Sequence, residues 1–129
     1  MLRGMEWILD PDNNPNTVDF PRVINNSWNC EGAPDVELFY RAISAWEAAG
    51  ILPVFSAGNS GPRDKSITKP HSHPATFAVG ATDEAGKVAS FSSRGPGEYQ
   101  GKLVEKPDIA APGDKVVSSV PGGKMQAMS

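Results

Sequence analysis

Hydrophobic residues in the first half of the chain follow two patterns, one with a helical period and one typical of strands. Residues 34–49 carry apolar side chains at spacings of three and four, which places them on one helix face: Val36, Phe39, Tyr40, Ile43 and Trp46. Gly50 follows directly, as is common after a helix end. The unbroken apolar run 51–55 predicts a strand covered on both faces, although Pro53 removes one backbone donor.

A strand on each side of this helix predicts a parallel sheet. Residues 23–28 predict a short strand in which an apolar start is followed by small polar residues. This segment, the helix and the run 51–55 are therefore predicted to form one βαβ unit. We also predict a short helix at 1–9 ending in a polar turn, and further strands at 76–81, 88–91 and 116–120. The pattern therefore indicates an α/β fold built on a parallel sheet.

Composition narrows the possible functions. A length of 129 residues, 39% of them hydrophobic and 21% charged, suits one globular domain. The net charge of −3 and the scattered Lys and Arg residues argue against a nucleic-acid or anionic-membrane partner. No apolar stretch is long enough for a bilayer, and the N-terminus lacks a signal-peptide pattern. The single cysteine, Cys30, cannot form an internal disulfide and is interpreted as an inert thiol.

The segment 54–62 is the most informative part of the sequence. An apolar strand runs into Ala57-Gly58-Asn59-Ser60-Gly61, where small residues let another backbone approach closely. An asparagine at such a strand end can point into a cleft and donate a hydrogen bond to a developing oxyanion. Clusters of Asn, Gly and Ser are also ordinary turn chemistry. On local sequence alone, the interpretation of Asn59 as a turn residue is therefore the simpler one.

Five stretches of the chain carry a family resemblance: VINNSW (23–28), AGNSGP (57–62), AVGATD (78–83), ASFSSRGP (89–96) and KPDIAAPG (106–113). In this order they resemble the subtilisin-like serine proteases, the subtilases of peptidase family S8, and most of all their secreted bacterial members. The resemblance extends over nearly the whole chain. It implies a three-layer αβα fold around a parallel sheet. The fold is expected to be incomplete, because residues 1–129 correspond to the part of the catalytic domain between the family's catalytic His and its catalytic Ser.

The resemblance also assigns roles to individual residues. It implies that Asn59 is the amide donor of an oxyanion hole. The segment Ser27-Trp28-Asn29 resembles the strand that pairs with the substrate backbone and forms one wall of the S1 pocket, and Ser56-Ala57-Gly58 resembles the opposite wall. Together the two segments are expected to hold an extended peptide as an added strand. The family usually has Gly where Asn29 stands, so this side chain is expected to crowd or narrow the pocket.

The catalytic triad is expected to lie outside this sequence. The family order is Asp, His, Ser, and the oxyanion Asn falls between the last two. The chain begins after the expected His and ends before the expected Gly-Thr-Ser motif, so that Ser129 lies about three residues upstream of the nucleophile. We therefore predict part of a serine endopeptidase that hydrolyses peptide bonds by acyl transfer and is inactive alone. The alternative is a non-catalytic module for peptide binding or another interaction.

The two histidines, His71 and His73, lie in a proline-bounded loop that we expect to be solvated. A single His-x-His pair supplies only two metal ligands and no third is evident, so we predict no metal and no cofactor. The resemblance adds a weaker possibility. Backbone carbonyls of this loop, near Thr76, would bind Ca²⁺ or Na⁺ together with Asp108, because oxygen ligands suit these ions. It also implies a cis peptide bond at Lys69–Pro70.

The resemblance predicts a polypeptide substrate, no nucleic-acid or membrane partner, and a secreted or cell-surface location. A chain of this extent would leave sheet edges and apolar faces bare. We therefore expect the isolated chain to be marginally stable, or to form a homo-oligomer through its exposed sheet edges.

Overall fold

The computed structural model describes residues 1–30 and 36–129. The helices and strands within these ranges are, in chain order, α1 (Leu2–Trp7), β1 (Val23–Asn26), α2 (Val36–Ala48), β2 (Leu52–Ser56), β3 (Phe77–Thr82), β4 (Gly97–Tyr99), β5 (Lys102–Val104), β6 (Ile109–Pro112), β7 (Val116–Val120) and β8 (Lys124–Met128). The predicted start of the long helix at Pro34 falls outside the described residues.

Four strands form one parallel sheet, in the order β1-β2-β3-β6. Helix α2 connects β1 to β2, which confirms the predicted βαβ unit. Because all four strands run in the same direction, their carboxyl ends lie along one edge of the sheet. The segments that follow β1 and β2 therefore leave the sheet as neighbours.

Both helices contribute side chains to a core on one face of the sheet. The buried cluster consists of Met5, Ile43, Trp46, Ile51 and Phe55. The indole N–H of Trp46 donates to the carbonyl oxygen of Met5 at 3.0 Å, which ties α1 to α2 while satisfying a buried donor. No helix among the described residues is long and apolar enough to cross a membrane.

The opposite face of the sheet is open. Val23, Leu52 and Ile109 share this face and are 55%, 44% and 48% exposed. The expectation that the second strand is covered on both faces was wrong, because Pro53 and Phe55 point towards the core while Leu52 points to the open side. The α/β fold with a parallel sheet is confirmed, and the described residues form a helical layer and a sheet layer.

Short strands account for the other differences from prediction. β4 pairs with β5, and β7 with β8, as antiparallel hairpins, while β6 adds an edge strand to the main sheet. Of these five strands only β7 was predicted. The predicted strand 88–91 instead makes an isolated bridge between Val88 and Thr82. The chain turns there, since the amide of Ser92 donates to the carbonyl oxygen of Ala89 at 3.1 Å.

Candidate substrate-binding cleft

The ends of β1 and β2 bring the predicted site residues together. Asn26 lies opposite Phe55 in the parallel register, so the next residues of each strand lie side by side. A depression of about 100 Å³ opens between them and is lined by Ser27, Trp28, Asn29, Ser56, Gly58, Asn59 and His71. Ala57 is the exception among the predicted residues. It is buried, and its amide donates to the carbonyl oxygen of Val79 at 2.8 Å.

Asn59 also borders a second, larger depression. This one has a volume of about 480 Å³, lies on the open face of the sheet, and is lined mainly by small and apolar residues of β2, β3 and β6. Ser27, Ser56 and Asn59 line both depressions. Asn59 is exposed to solvent. A carbonyl group lying between the two depressions would therefore be close to three polar side chains.

Backbone hydrogen bonds hold the loop that carries Asn59, which we call the Asn59 loop (residues 57–61). The Gly58 carbonyl accepts from the amide of Ser93 at 2.9 Å, and the Ser60 amide donates to Oγ of Ser93 at 3.0 Å. The Gly61 amide donates to the carbonyl oxygen of Phe91 at 2.8 Å. Ser93 was not predicted as a site residue, although it lies within one of the family-like stretches. Ser93 positions the Asn59 loop through a contact between segments that are more than 30 residues apart in the sequence, and local patterns do not reveal such a contact.

Position 58 requires glycine for two reasons. Gly58 has a φ of +97°, where side chains of L-residues are strained. A Cβ atom there would also lie 2.9 Å from Oγ of Ser93. Replacement would therefore disturb the same hydrogen-bonded contact that holds Asn59.

Trp28 belongs to the core as well as to the cleft wall. Its ring lies 5.3 Å from that of Phe55 and 5.6 Å from that of Phe39. Its indole N–H donates to Oδ1 of Asn26 at 3.0 Å, and Nδ2 of Asn26 donates to the carbonyl oxygen of Val54 at 3.3 Å. This wall of the cleft is thereby anchored to the end of β1 and to the middle of β2.

Comparison with known proteins decides the family. Residues 2–129 match the family described as the subtilase family. The chain belongs to the subtilases. Bacillopeptidase F of Bacillus subtilis (strain 168) is 43% identical over 132 residues, which cover 95% of this chain and 9% of that protein. A subtilisin of Bacillus pumilus is 31% identical over 125 residues, which cover 95% of this chain and 38% of that protein.

Solved structures give the same result. The self-cleaved protease domain of PatA matches with a TM-score of 0.72 at 27% identity, covering 99% of this chain and 43% of that one. The S41 psychrophilic protease matches with a TM-score of 0.65 at 34% identity, covering 83% of this chain and 37% of that one. This subtilase chain therefore spans less than half the length of these relatives.

The two histidines of this subtilase chain are buried, so the expectation of a solvated loop was wrong. His71 and His73 are 1% and 4% exposed. The His73 ring lies 5.0 Å from Tyr40 of α2 and 4.8 Å from Tyr99 of β4, and the His71 ring lies 5.8 Å from Phe55. Aromatic rings from distant elements thus cover a segment that is polar in sequence. We call residues 70–76 the His loop.

Hydrogen bonds define the protonation of His73. The Ala75 amide donates to its Nδ1 at 3.1 Å, so Nε2 carries the proton and lies 3.4 Å from Oγ of Ser44. Burial, assisted by the positive charge of Lys106, lowers the pKa of His73, and burial raises the pKa of Tyr40 to about 12. Because Nε2 already holds a proton, it cannot accept one from Ser44. This pair is therefore not a nucleophile and its general base.

The position expected for a cation contains a lysine. The side chain of Lys106 is 2% exposed, and its Nζ donates to the carbonyl oxygen of Thr76 and, at 2.7 Å, to Oδ2 of Asp108. The Thr76 hydroxyl lies 2.9 and 2.7 Å from the carbonyl oxygens of the two histidines. These residues do not fit a metal ion, because the expected oxygen ligands already contact an ammonium or a hydroxyl group. The Lys69–Pro70 bond is cis, as the resemblance implied.

A group of carboxylates that the sequence analysis missed lies in the loop after α1. In the part of the chain that the structure describes, Asp10, Asp12 and Asp19 form the one group of three or more candidate ligand side chains. Backbone amides within the loop donate to them, as from Asn14 to Asp10 at 2.7 Å, and the Thr17 hydroxyl donates to Asp12. These bonds account for the convergence of the three side chains.

Proposed function

We propose that this chain supplies the substrate-binding edges and the oxyanion-hole amide of a serine endopeptidase. Membership of the subtilase family supports hydrolysis of peptide bonds by acyl transfer. The observation that carries the proposal is the position of Asn59 between the two depressions, beside the segment 27–29. The Asp-His-Ser triad would come from parts of the polypeptide outside residues 1–129, since relatives are more than twice as long.

The substrate would bind as an extended strand between the segments 27–29 and 56–58. Backbone groups would supply most of the affinity in this mode, while the adjoining pocket selects side chains. The side chain before the scissile bond would enter the smaller depression. We expect it to be small, because that depression has a volume of about 100 Å³ and Asn29 is part of its lining.

The proposed role of Asn59 is electrostatic. During acyl transfer the substrate carbonyl oxygen gains negative charge, and a side-chain N–H aimed at that oxygen binds it more strongly as the charge develops. A donor that is already held in place needs no reorganisation during the reaction. The contacts of Gly58 and Ser60 with Ser93 support this role, because they fix the loop on both sides of Asn59.

Residues 1–129 alone are expected to hydrolyse nothing appreciable. The sequence has two histidines, and both imidazoles are buried, so neither is available to accept a proton from a substrate-bound nucleophile. The Ser129 hydroxyl lines the larger depression but donates to Oδ1 of Asp114 at 2.7 Å. A serine whose hydroxyl contacts a weakly basic carboxylate, and no imidazole, is a weak nucleophile.

A chimera tests this function. The part of this chain that aligns with bacillopeptidase F, 95% of its length at 43% identity, would replace the matching segment of that protein. We expect the chimera to cleave peptides, and Asn59→Ala to lower kcat by about 10²–10³-fold with little change in KM. That range is the one found for the oxyanion amide of subtilisin itself. Asn16→Ala, at an exposed position outside the cleft, is the matched control.

Three results would count against the oxyanion role. The first is an Asn59→Ala chimera with unchanged kcat, or with the same loss as Asn16→Ala. The second is a folded chimera that is inactive although its triad is intact. A rise in KM at constant kcat would assign Asn59 to substrate binding alone.

A non-catalytic peptide-binding module is the second candidate. The observation in its favour is that the cleft occurs in a chain whose two histidines are both buried. The coding sequence on either side separates the two functions. A His motif upstream and a Gly-Thr-Ser motif downstream would identify a protease, and stop codons at both ends would identify a binding module.

Partners and location follow from the family as proposals. We propose a polypeptide substrate and a secreted or cell-surface protein. Within the described residues β1 and β6 are the edges of the main sheet, and the open face exposes Val23, Leu52 and Ile109. We propose that isolated copies associate through these surfaces. A well-dispersed, stable monomer in sedimentation would contradict that association.

A further inference from the structure

Lys106 has an unusual environment for a lysine. Its side chain is 2% exposed, and burial of an ammonium group is costly unless oxygen atoms replace its water. Two oxygens do so: the carbonyl of Thr76, directly before β3, and Oδ2 of Asp108, directly before β6. One charged group therefore joins the beginnings of two neighbouring strands.

Asp108 strengthens this junction, which consists of Lys106, Asp108, Thr76 and Ala78. Its Oδ2 also accepts from the amide of Ala78 at 2.6 Å, and its own amide donates to the Ala78 carbonyl at 2.9 Å. The carboxylate thus binds the ammonium of Lys106 and a backbone donor of β3 at the same time. The Asp108 side chain is 31% exposed, so the buried member of the pair is Lys106.

Thr76 extends the junction into the His loop. Its carbonyl accepts from Lys106, while its hydroxyl contacts the carbonyl oxygens of His71 and His73. His71 in turn lines the smaller depression of the cleft. The position of Nζ is therefore linked, through one residue, to the lining of the proposed substrate pocket.

We propose that the ammonium group of Lys106 is a built-in cation that takes the place of a Ca²⁺ or Na⁺ ion at the base of the His loop. A carbonyl and a carboxylate oxygen that converge on one point suit a hard cation. A covalently attached charge here contacts the same oxygens, so the loop needs no metal at this position. Removal of the charge leaves two oxygens without their cation and opens a site for a small ion. This inference does not depend on the proposed function.

The direct test is a calcium titration followed by NMR at constant ionic strength. The amides of Ala78 and Asp108 are hydrogen-bonded within the junction and report on it specifically. In the unaltered chain the chemical shifts of both amides should stay constant up to roughly 10 mM CaCl₂. This concentration is well above the dissociation constants of weak oxygen-ligand sites for Ca²⁺. Shifts of amides elsewhere in the chain do not bear on this result. In Lys106→Met, which keeps an unbranched apolar stem without the charge, both signals should shift as Ca²⁺ or Na⁺ is added.

Thermal unfolding gives a second readout. Lys106→Met should lower Tm by roughly 10 °C, because a buried ion pair loses one partner. Added CaCl₂ should restore part of the loss beyond the effect of equal ionic strength. Lys102→Met removes an exposed lysine from β5 and serves as the matched control, with a small change in Tm that CaCl₂ does not reverse.

Two results overturn the proposal. One is a calcium-dependent shift of Ala78 and Asp108 in the unaltered chain. The other is a folded Lys106→Met variant whose junction amides and Tm are indifferent to cations. If Lys106→Met fails to fold, the titration of the unaltered chain still decides, together with Lys106→Arg, which keeps the charge and should remain indifferent to calcium.

Discussion

The Asn59 loop and the His loop both line the cleft, but they are held in place by different kinds of contact. The Asn59 loop is fixed by backbone groups that bond to the segment 91–93, and it leaves Asn59 itself exposed. The His loop is buried under aromatic rings and is fixed by the hydroxyl and carbonyl of Thr76 and the ammonium of Lys106.

Because of this difference, substitutions in the two loops should affect different properties of the protein. Replacing an exposed polar side chain changes the free energy of unfolding little. A buried polar group that loses its hydrogen-bond partner lowers the free energy of unfolding by its full desolvation penalty. Changes in the Asn59 loop should therefore alter catalysis in the chimera more than they alter unfolding. Changes in the His loop should alter the free energy of unfolding first.

Among substitutions within the two loops, the largest effect on stability is expected for Thr76→Val. The substitution keeps the shape of the side chain but removes the hydroxyl that contacts two buried carbonyls. It should lower the free energy of unfolding by about 2 kcal/mol, measured by urea denaturation of the chain. Thr82→Val makes the same chemical change in β3, outside the His loop, and should cost clearly less. Equal losses in the two variants would show that the His loop is not held in the way described.

Ser93→Ala should have a smaller effect on stability and a clear effect on catalysis. Loss of its Oγ leaves the Ser60 amide without its acceptor, which costs about 1 kcal/mol of unfolding free energy. A loosened Asn59 loop should also lower kcat of the chimera by about tenfold. Ser93→Thr, which keeps a hydroxyl, should recover part of the rate, and exposed Ser90→Ala is the control. A Ser93→Ala chimera with full kcat would remove Ser93 from the account as a positioning residue.

The smallest effect is a pH dependence from His73. Burial lowers the pKa of His73 in the folded state below its ordinary value of 6.5. As the pH falls below about 6.5, the unfolded chain takes up this proton before the folded one does, so the free energy of unfolding decreases. The groups that face His73 are Tyr40, Tyr99 and the charge of Lys106, and burial raises the pKa of Tyr40 to about 12.

The comparison uses His73→Gln, which cannot titrate. Urea midpoints measured at about pH 7.5 and 5.5 should fall more in the unaltered chain than in His73→Gln, since the imidazole of His73 is the group in which the two proteins differ. Parallel pH dependence in the two proteins would contradict the lowered pKa.

Much of the fold was accessible from the sequence because it is encoded locally. The spacing of Ile43 and Trp46 identified α2, and the apolar runs identified β1, β2 and β3. The position of Asn59 beside 27–29 followed from two parallel strands that end at one edge. Strands β4 and β5 were not predicted, because three residues are too few to show the alternating hydrophobic pattern of a strand.

The burial of the His loop was not accessible in this way. Its sequence is polar and rich in proline, and what covers it comes from elsewhere, with Tyr40 in α2 and Tyr99 in β4. The burial of Lys106 has the same origin, since lysine is ordinarily exposed and its partner carbonyl lies 30 residues earlier in the chain. Local patterns predict elements, but contacts between distant segments decide which polar residues are buried.

The central claim is that the amide of Asn59 meets the charge that develops on the substrate carbonyl. The most direct measurement compares inhibition of the chimera by a peptide aldehyde, whose adduct carries a tetrahedral oxygen, with inhibition by the matching product peptide. Asn59→Ala should raise the inhibition constant of the aldehyde by about 10²-fold and leave that of the product peptide nearly unchanged. Equal changes for both ligands, or no change for the aldehyde, would contradict the account.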